Sequence, residues 1–136
     1  MGMTLESVGA YAAKLPSVKV GHKWNQRTWM VGDVGFAWQR PFSKADLKRF
    51  GDTAPPTGEI LAVIVENLDA KDALLAIAPP GFFTIPHFVG YAAILIELRV
   101  AHAADVRAAI LAAHQLAAAR AKPGRKLRRG AASTPR

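Results

Sequence analysis

The chain has 136 residues, of which 51% are hydrophobic and 21% are charged, and this length and composition are typical of one globular domain with its own core. The absence of cysteine excludes disulfides, thiolate catalysis and cysteine-based zinc sites, and it favours a reducing cytoplasm. The net charge of +8 is uneven, because seven basic residues and no acidic residue lie from position 120 onward.

An opening helix is predicted over residues 4–15. Apolar side chains recur there with helical spacing, and Thr4 is a suitable N-terminal cap. Pro16 ends the helix and biases the residue before it away from helical backbone angles. An extended segment is therefore expected over residues 18–22.

An aromatic hairpin is predicted over residues 27–39. Two short runs of alternating side chains lie on either side of Gly32, and glycine at the first position of a two-residue loop permits the positive φ of a type II′ turn. Trp29, Phe36 and Trp38 are therefore expected to be close cross-strand or diagonal neighbours.

The middle of the chain predicts a short helix and a buried strand. Residues 43–46 resemble a capping box, with aspartate in place of the usual glutamate, and they predict a helix that ends near Phe50. Residues 51–58 are rich in glycine and proline and predict a loop. Residues 60–65 are apolar and mostly β-branched, which favours a central strand buried on both faces.

The last third of the chain predicts two helices and one strand. Asp69 is a suitable cap for a helix that runs through Ile77 and stops before two prolines. Residues 94–100 alternate between apolar and other side chains and predict a half-buried strand in an antiparallel sheet. Residues 103–121 predict a long, alanine-rich closing helix with a thin apolar stripe.

An aromatic-rich connection, residues 81–91, lies between the second of these helices and the strand. It contains three phenylalanines, a tyrosine and a histidine. Its position favours a structural role in closing the core, and His87 and Tyr91 are the side chains in it that we single out for a functional role.

These elements predict an α+β fold in which N- and C-terminal helices pack against an antiparallel sheet. The domain is expected to span residues 1–121. Residues 122–136 are basic, polar and poor in large apolar side chains, so we expect this tail to be disordered until it binds a partner. The N-terminus lacks the features of a signal peptide, and no apolar run approaches the roughly 20 residues of a membrane span, so a cytoplasmic protein is expected.

Three stretches carry a resemblance to a known family. They are residues 15–22, the hairpin, and above all Phe-Phe-Thr-Ile-Pro-His-Phe-Val-Gly-Tyr at 82–91 followed by Ile-Leu-Ile-Glu-Leu at 94–98. Over residues 4–121 the chain resembles the MmcQ/YjbR family of small bacterial proteins, whose fold is related to that of frataxin. The resemblance implies an antiparallel sheet with packed helices and a proposed double-wing DNA-binding role.

The sequence contains no recognisable catalytic or metal-binding motif. Its four histidines have no zinc-site spacing, and the first helix offers only Glu6 as an acidic ligand for iron. The serines lie outside any Gly-x-Ser-x-Gly context, and Ser43 is better explained as a helix cap. We therefore expect a non-enzymatic protein without catalytic residues, a metal or a cofactor.

Basic side chains indicate DNA or another polyanion as a possible partner. In the folded body they are Arg27, Arg40, Lys44, Lys48 and Arg49, and in the tail they are Arg125, Lys126, Arg128 and Arg129. Such groups contact phosphates without reading the base sequence. The tail is expected to supply most of the affinity. The alternative for the body is an ordinary solvated helix face, partnered by Asp46 and Asp52.

A second hypothesis is a small-molecule or protein-binding module without a nucleic-acid role. Trp29, Trp38 and Tyr91 would enclose an apolar pocket with His87 as its polar anchor. This hypothesis requires the aromatic side chains to surround a common cavity. Burial of the same side chains in a filled core would argue against it.

Overall fold

The structure is a computed structural model, and it describes residues 3–23, 26–52, 55–56 and 58–121. The prediction of a disordered tail at residues 122–136 lies outside the described residues. The side chain of His87 also lies outside them.

The described chain forms four α-helices and a six-stranded antiparallel sheet in the strand order β1-β2-β3-β4-β6-β5, which confirms the α+β fold. In chain order the elements are α1 (Leu5–Ala13), β1 (Val18–Lys23), β2 (Gln26–Val31), β3 (Val34–Gln39), α2 (Lys44–Phe50), β4 (Ile60–Ile64), α3 (Leu68–Ile77), β5 (Phe82–Phe83), β6 (Ala93–Glu97) and α4 (Ala103–Arg120). A short 3-10 helix, Pro86–Phe88, lies between β5 and β6.

The two faces of the sheet carry separate hydrophobic cores. On one face, here called the helix face, α1 and α4 cover a cluster that includes Trp29, Phe36 and Ile110. On the other face, here called the loop face, the connection after β5 and the segment around α2 cover a smaller cluster that includes Trp38 and Phe88. Each central strand therefore buries side chains in both directions.

The caps of α1 and α2 and the hairpin turn are as predicted. Ser7 N–H donates to Thr4 Oγ1 at 3.1 Å, and a complete capping box joins Ser43 and Asp46 at the start of α2. Gly32 has φ 59°, the positive value that a type II′ turn requires at its first loop position. These features depend on neighbouring residues only, which explains why local sequence was sufficient to predict them.

A β-bulge corrects the predicted arrangement of the hairpin aromatics. The register between β2 and β3 shifts between Trp29 and Met30, which leaves Phe36 as an extra residue on β3. Phe36 and Ala37 consequently both point to the helix face, and Trp38 points to the loop face. Trp29 and Phe36 share one core as expected, but the bulge separates Trp38 from them.

The cap of α3 was predicted incorrectly. Its N-cap is Asn67, whose Oδ1 accepts a hydrogen bond from Ala70 N–H at 2.8 Å. Asp69 instead lies within the first turn, where a negative charge interacts favourably with the helix dipole. Asparagine and aspartate are nearly equivalent as caps, so composition alone could not choose between the two positions.

The strand predicted over residues 94–100 is also different in the structure. It is β6, which ends at Glu97 and is buried on both faces along residues 93–96. The reason is its position between β4 and β5, with a core on each side of the sheet. The prediction of a doubly buried central strand is confirmed for β4.

Candidate functional site

The aromatic connection, residues 81–91, contains β5 and closes the loop-face core. Ile85 and Phe88 are buried in it, and Trp38 lies beneath, 5% exposed. The Tyr91 ring lies 5.4 Å from the Phe88 ring and 6.4 Å from the Trp38 ring, between centroids, and Tyr91 is 46% exposed. Tyr91 is therefore the aromatic side chain of this group that solvent reaches most.

A buried lysine on α3 holds this connection in place. The ammonium of Lys71 donates to Phe88 O at 2.6 Å and to Tyr91 O at 2.8 Å, and the residue is only 4% exposed. Burial lowers the pKa of Lys71 below its ordinary value, and the carboxylate of Asp72 offsets this only in part. Lys71 is not among the residues predicted from the sequence, because a lysine in a helix is usually exposed. The available signal was its place three residues before Leu74, on the inward side of α3.

We expect Lys71→Ala to lose about 2 kcal/mol of unfolding free energy, because it removes two charge-assisted hydrogen bonds and a buried aliphatic stem. Lys71→Met keeps the stem and should recover part of that loss. Urea denaturation monitored by circular dichroism measures both values. Lys44→Ala on exposed α2 is the control and should change stability by less than about 0.5 kcal/mol. Equal stability of wild type and Lys71→Ala would contradict the anchoring role.

A second polar cluster lies beside the first, at the start of α2. The Asp46 carboxylate accepts from Arg40 Nη1 at 3.0 Å and from Ser43 N–H at 3.0 Å, and Arg49 Nη1 lies 3.5 Å from its other oxygen. The Arg40 guanidinium also lies 5.5 Å from the centroid of the Phe88 ring. Arg40 thus links α2 to the aromatic connection, which Lys71 also holds.

The ionised form of Asp46 is the one that suits this cluster. Burial alone would raise the pKa of the Asp46 carboxyl, but hydrogen bonds from Ser43 N–H and the Arg40 guanidinium outweigh it. The pKa is consequently held below its ordinary value. At neutral pH the cluster contains two guanidinium groups and one carboxylate.

An open cleft of about 560 Å³ adjoins this cluster, on the loop face between the start of β2 and α2. It is lined by Gln26, Arg40, Pro41, Phe42, Ser43, Ala45, Asp46 and Arg49. The lining combines positive charge, an amide and part of an aromatic ring. Phe42 and Gln26 were not among the candidates taken from sequence.

The predicted phosphate-binding side chains are only partly brought together. Arg40 and Arg49 meet at Asp46, and Lys44 and Lys48 lie exposed on the same helix. Arg27 lies two residues before Trp29 on β2, which places it on the opposite side of the sheet. The four basic tail residues, Arg125, Lys126, Arg128 and Arg129, lie outside the described residues.

Asp46 does not neutralise the two lysines of α2. Among the described residues, no ion pair joins Lys44 or Lys48 to a carboxylate, since Asp46 pairs with Arg40 and Arg49. The solvated-face alternative expects Asp46 and Asp52 to partner the basic side chains, and Asp46 does so for Arg40 and Arg49 but not for the two lysines. The lysines therefore keep their charge available to solvent.

Charge is segregated along the chain. Residues 14–51, which form β1, β2, β3 and α2, contain eight basic and two acidic side chains. Residues 52–119, which include β4, β6, α3 and most of α4, contain three basic and seven acidic side chains. Residues 14–51 thus carry a net charge of +6 and residues 52–119 a net charge of −4.

The structure does not assemble the predicted aromatic pocket as a whole. Trp29 is buried among helix-face residues, and Trp38 and Tyr91 contact each other on the loop face. The backbone of His87 belongs to the 3-10 helix, and its side chain is outside the described set. A single cavity cannot include both tryptophans, because the sheet lies between them.

Two further features are absent from the described part of the chain. It contains no group of three or more histidine, aspartate or glutamate side chains that could hold a metal ion. None of its helices combines the length and apolar composition that a bilayer crossing requires.

Comparison with known proteins gives relatives but no family. The chain matches no family model and no solved structure. Uncharacterized proteins of Mycobacterium bovis and of two Mycobacterium tuberculosis strains are each 45% identical to it over 73 residues. The aligned part covers 52% of this chain and 56% of each relative, so the chain spans about half the length of the curated relatives it matches. The resemblance to the MmcQ/YjbR family stays a prediction.

Proposed function

We propose that this protein is a non-enzymatic, DNA-binding accessory protein of the cytoplasm that contacts the phosphate backbone. The observation that carries the proposal is the segregation of charge along the chain, with eight basic and two acidic residues in the segment 14–51. Proteins bind nucleic acid without sequence preference through such positive surfaces. The resemblance to a family with a proposed DNA-binding role is consistent with it.

The α2 surface supports the proposal through the arrangement of its charges. Asp46 is the acidic residue within this helix, and it is buried against Arg40 and Arg49. Lys44 and Lys48 are spaced four residues apart, so they lie on one side of α2 and can contact neighbouring phosphates. A solvated helix face would more often alternate basic and acidic side chains.

The C-terminal segment supplies the larger part of the charge. It adds six basic residues and no acidic residue after α4 ends at Arg120. Each phosphate that a lysine or arginine neutralises releases counterions, which makes affinity fall steeply with salt. This segment should therefore govern the strength of binding, and α2 should orient the bound DNA.

The test is a salt titration of binding to a fluorescently labelled DNA duplex, followed by anisotropy. We expect replacement of the four tail residues Arg125, Lys126, Arg128 and Arg129 by glutamine to reduce the slope of log K against log salt by about 3 to 4, since each phosphate contact contributes about 0.9. At moderate salt the affinity should fall at least about a hundredfold. The double variant Lys44→Gln, Lys48→Gln should reduce the slope by up to about 2.

The matched control is the double variant Arg99→Gln, Arg107→Gln, which removes two positive charges from the acidic segment 52–119. Both residues are exposed, and their loss should leave the salt slope nearly unchanged. If this control weakens binding as much as the double variant Lys44→Gln, Lys48→Gln does, the affinity depends on the net charge of the protein and not on the α2 surface. Absence of binding by the full chain to both duplex and single-stranded DNA, even at low salt, would refute the proposal.

A further inference from the structure

We propose that the cleft between β2 and α2 binds one unpaired nucleotide, with its phosphate on Arg49 and its base against Phe42. This inference rests on the proposed function and makes it more specific, because it identifies single-stranded nucleic acid as the preferred ligand. Contacts to the phosphate backbone of DNA would not require a cleft, so the cleft gains a role only through this inference.

The dimensions of the cleft agree with a ligand of this size. Its volume of about 560 Å³ lies within the range of about 300 to 1,000 Å³ that is usual for small-molecule sites. A base in a duplex is stacked and paired and cannot enter a cleft unless it is extruded. A single strand presents its bases without that cost, so a nucleotide-sized cleft favours it.

The phosphate end of the site is formed by the two arginines. Arg49 has a side chain 46% exposed and only a loose 3.5 Å contact with Asp46, so most of its donors can reach a ligand. Arg40 is more firmly held, by Asp46 at 3.0 Å and by its contact with the Phe88 ring. An anion in the cleft would therefore contact two guanidinium groups: that of Arg40, which is held in place, and that of Arg49, which can move.

The carboxylate of Asp46 does not cancel this charge. Its side chain is 2% exposed, and its oxygens are directed at Arg40, the Ser43 N–H and Arg49. The cluster keeps one net positive charge, and the guanidinium of Arg49 is the part of it most open to solvent. Guanidinium groups bind phosphate in a planar, two-point manner, which suits a single backbone phosphate.

The base end of the site is Phe42. Its ring is partly exposed in the cleft and is held by edge contacts with Phe50 at 5.3 Å and Phe83 at 6.1 Å, between centroids. Aromatic rings next to a basic groove are the usual platform on which single-stranded bases stack. Gln26 also lines the cleft, and its amide can both donate to and accept from the edge of a base.

The test compares a labelled 12-nucleotide oligothymidylate with a labelled duplex of the same length, at one moderate salt concentration, using the full chain. The wild type should bind the single strand about tenfold more tightly than the duplex. Phe42→Leu should weaken single-strand binding about tenfold and duplex binding less than twofold. Arg49→Gln should weaken single-strand binding more than Lys48→Gln, which removes an equal charge one residue away and outside the cleft.

Phe50→Leu is the control for altered packing, because Phe50 contacts Phe42 but does not line the cleft. It should lower the melting temperature as much as Phe42→Leu while leaving the strand preference intact. Equal affinity for both DNA forms, with no effect of Phe42→Leu beyond that of Phe50→Leu, would overturn this inference and leave the proposed function standing. Failure of the full chain to bind either form at low salt would overturn both.

Discussion

Gly81→Ala is expected to destabilise the protein by about 3 to 4 kcal/mol, a large fraction of the stability of a small domain. Gly81 has φ +84°, a left-handed conformation that costs other residues about 1 to 3 kcal/mol. A Cβ atom there would also lie 2.8 Å from Glu97 O and 2.9 Å from Ala101 N, both backbone atoms. The clash cannot be relieved by a side-chain rotation, and it adds about 1 to 3 kcal/mol.

The consequence of that clash should be seen where the aromatic connection begins. Gly81 O accepts a hydrogen bond from Glu97 N–H at 2.7 Å, next to the pairing of β5 with β6. Any movement that makes room for the methyl group stretches this bond. Urea denaturation should therefore show a lower midpoint, and hydrogen exchange should be faster at the β6 amides that face β5.

Gly90→Ala is the matched control. Gly90 has a similar φ of +81°, but a Cβ atom there would have no other atom within 4 Å. It should cost only the conformational part, about 1 to 2 kcal/mol. If both variants lose the same unfolding free energy, the close approach to Glu97 and Ala101 contributes nothing to the effect of Gly81→Ala.

Asp46→Ala should destabilise the protein by about 3 kcal/mol. The substitution removes the reciprocal cap of α2, which is worth about 1 kcal/mol, and the charge-assisted hydrogen bond from partly buried Arg40, which is worth about 2 kcal/mol. Asp46→Asn keeps an acceptor for Ser43 N–H and should lose less. Asp52→Asn, at the exposed end of α2, is the control and should have little effect.

The effect of Asp46→Ala should depend on pH in a defined direction. The pKa of Asp46 is lower in the folded protein than its ordinary value of 3.8, so the folded state favours the ionised carboxylate. The stabilisation is fully present above pH 3.8 and is lost as pH falls through the lower, folded pKa. The stability difference between wild type and Asp46→Ala should thus shrink below pH 3.8. A difference that stays constant down to pH 2 would exclude the charge as its source.

Much of the fold could be predicted because its signals are local. Thr4, Ser43 and Gly32 each act on residues within three positions, and their effects appear as predicted. The bulge at Phe36 could not be predicted in this way. It depends on how β3 pairs with β2 while both faces of the sheet are covered, and strict alternation places Trp38 on the wrong face.

The candidate site was less predictable than the fold. Arg40 was identified as a phosphate contact from its charge, but the structure shows it held by Asp46 and by the Phe88 ring, 48 residues away in sequence. The bonds of Lys71 to Phe88 O and Tyr91 O span 17 and 20 residues. No short pattern encodes such contacts, because they exist only after α2, α3 and the aromatic connection have packed on the sheet.

The bulge also limits how this chain can vary in length. Removing Phe36, the extra residue, would restore simple alternation without turning Trp38 over, because Ala37 and Trp38 already pair with Trp29 and Thr28. The helix-face core would instead lose the Phe36 ring, which is fully buried and makes an edge contact with the His114 ring. The bulge therefore adds a core side chain without disturbing the pairing on either side of it, and its deletion should cost about as much as the loss of any buried aromatic ring.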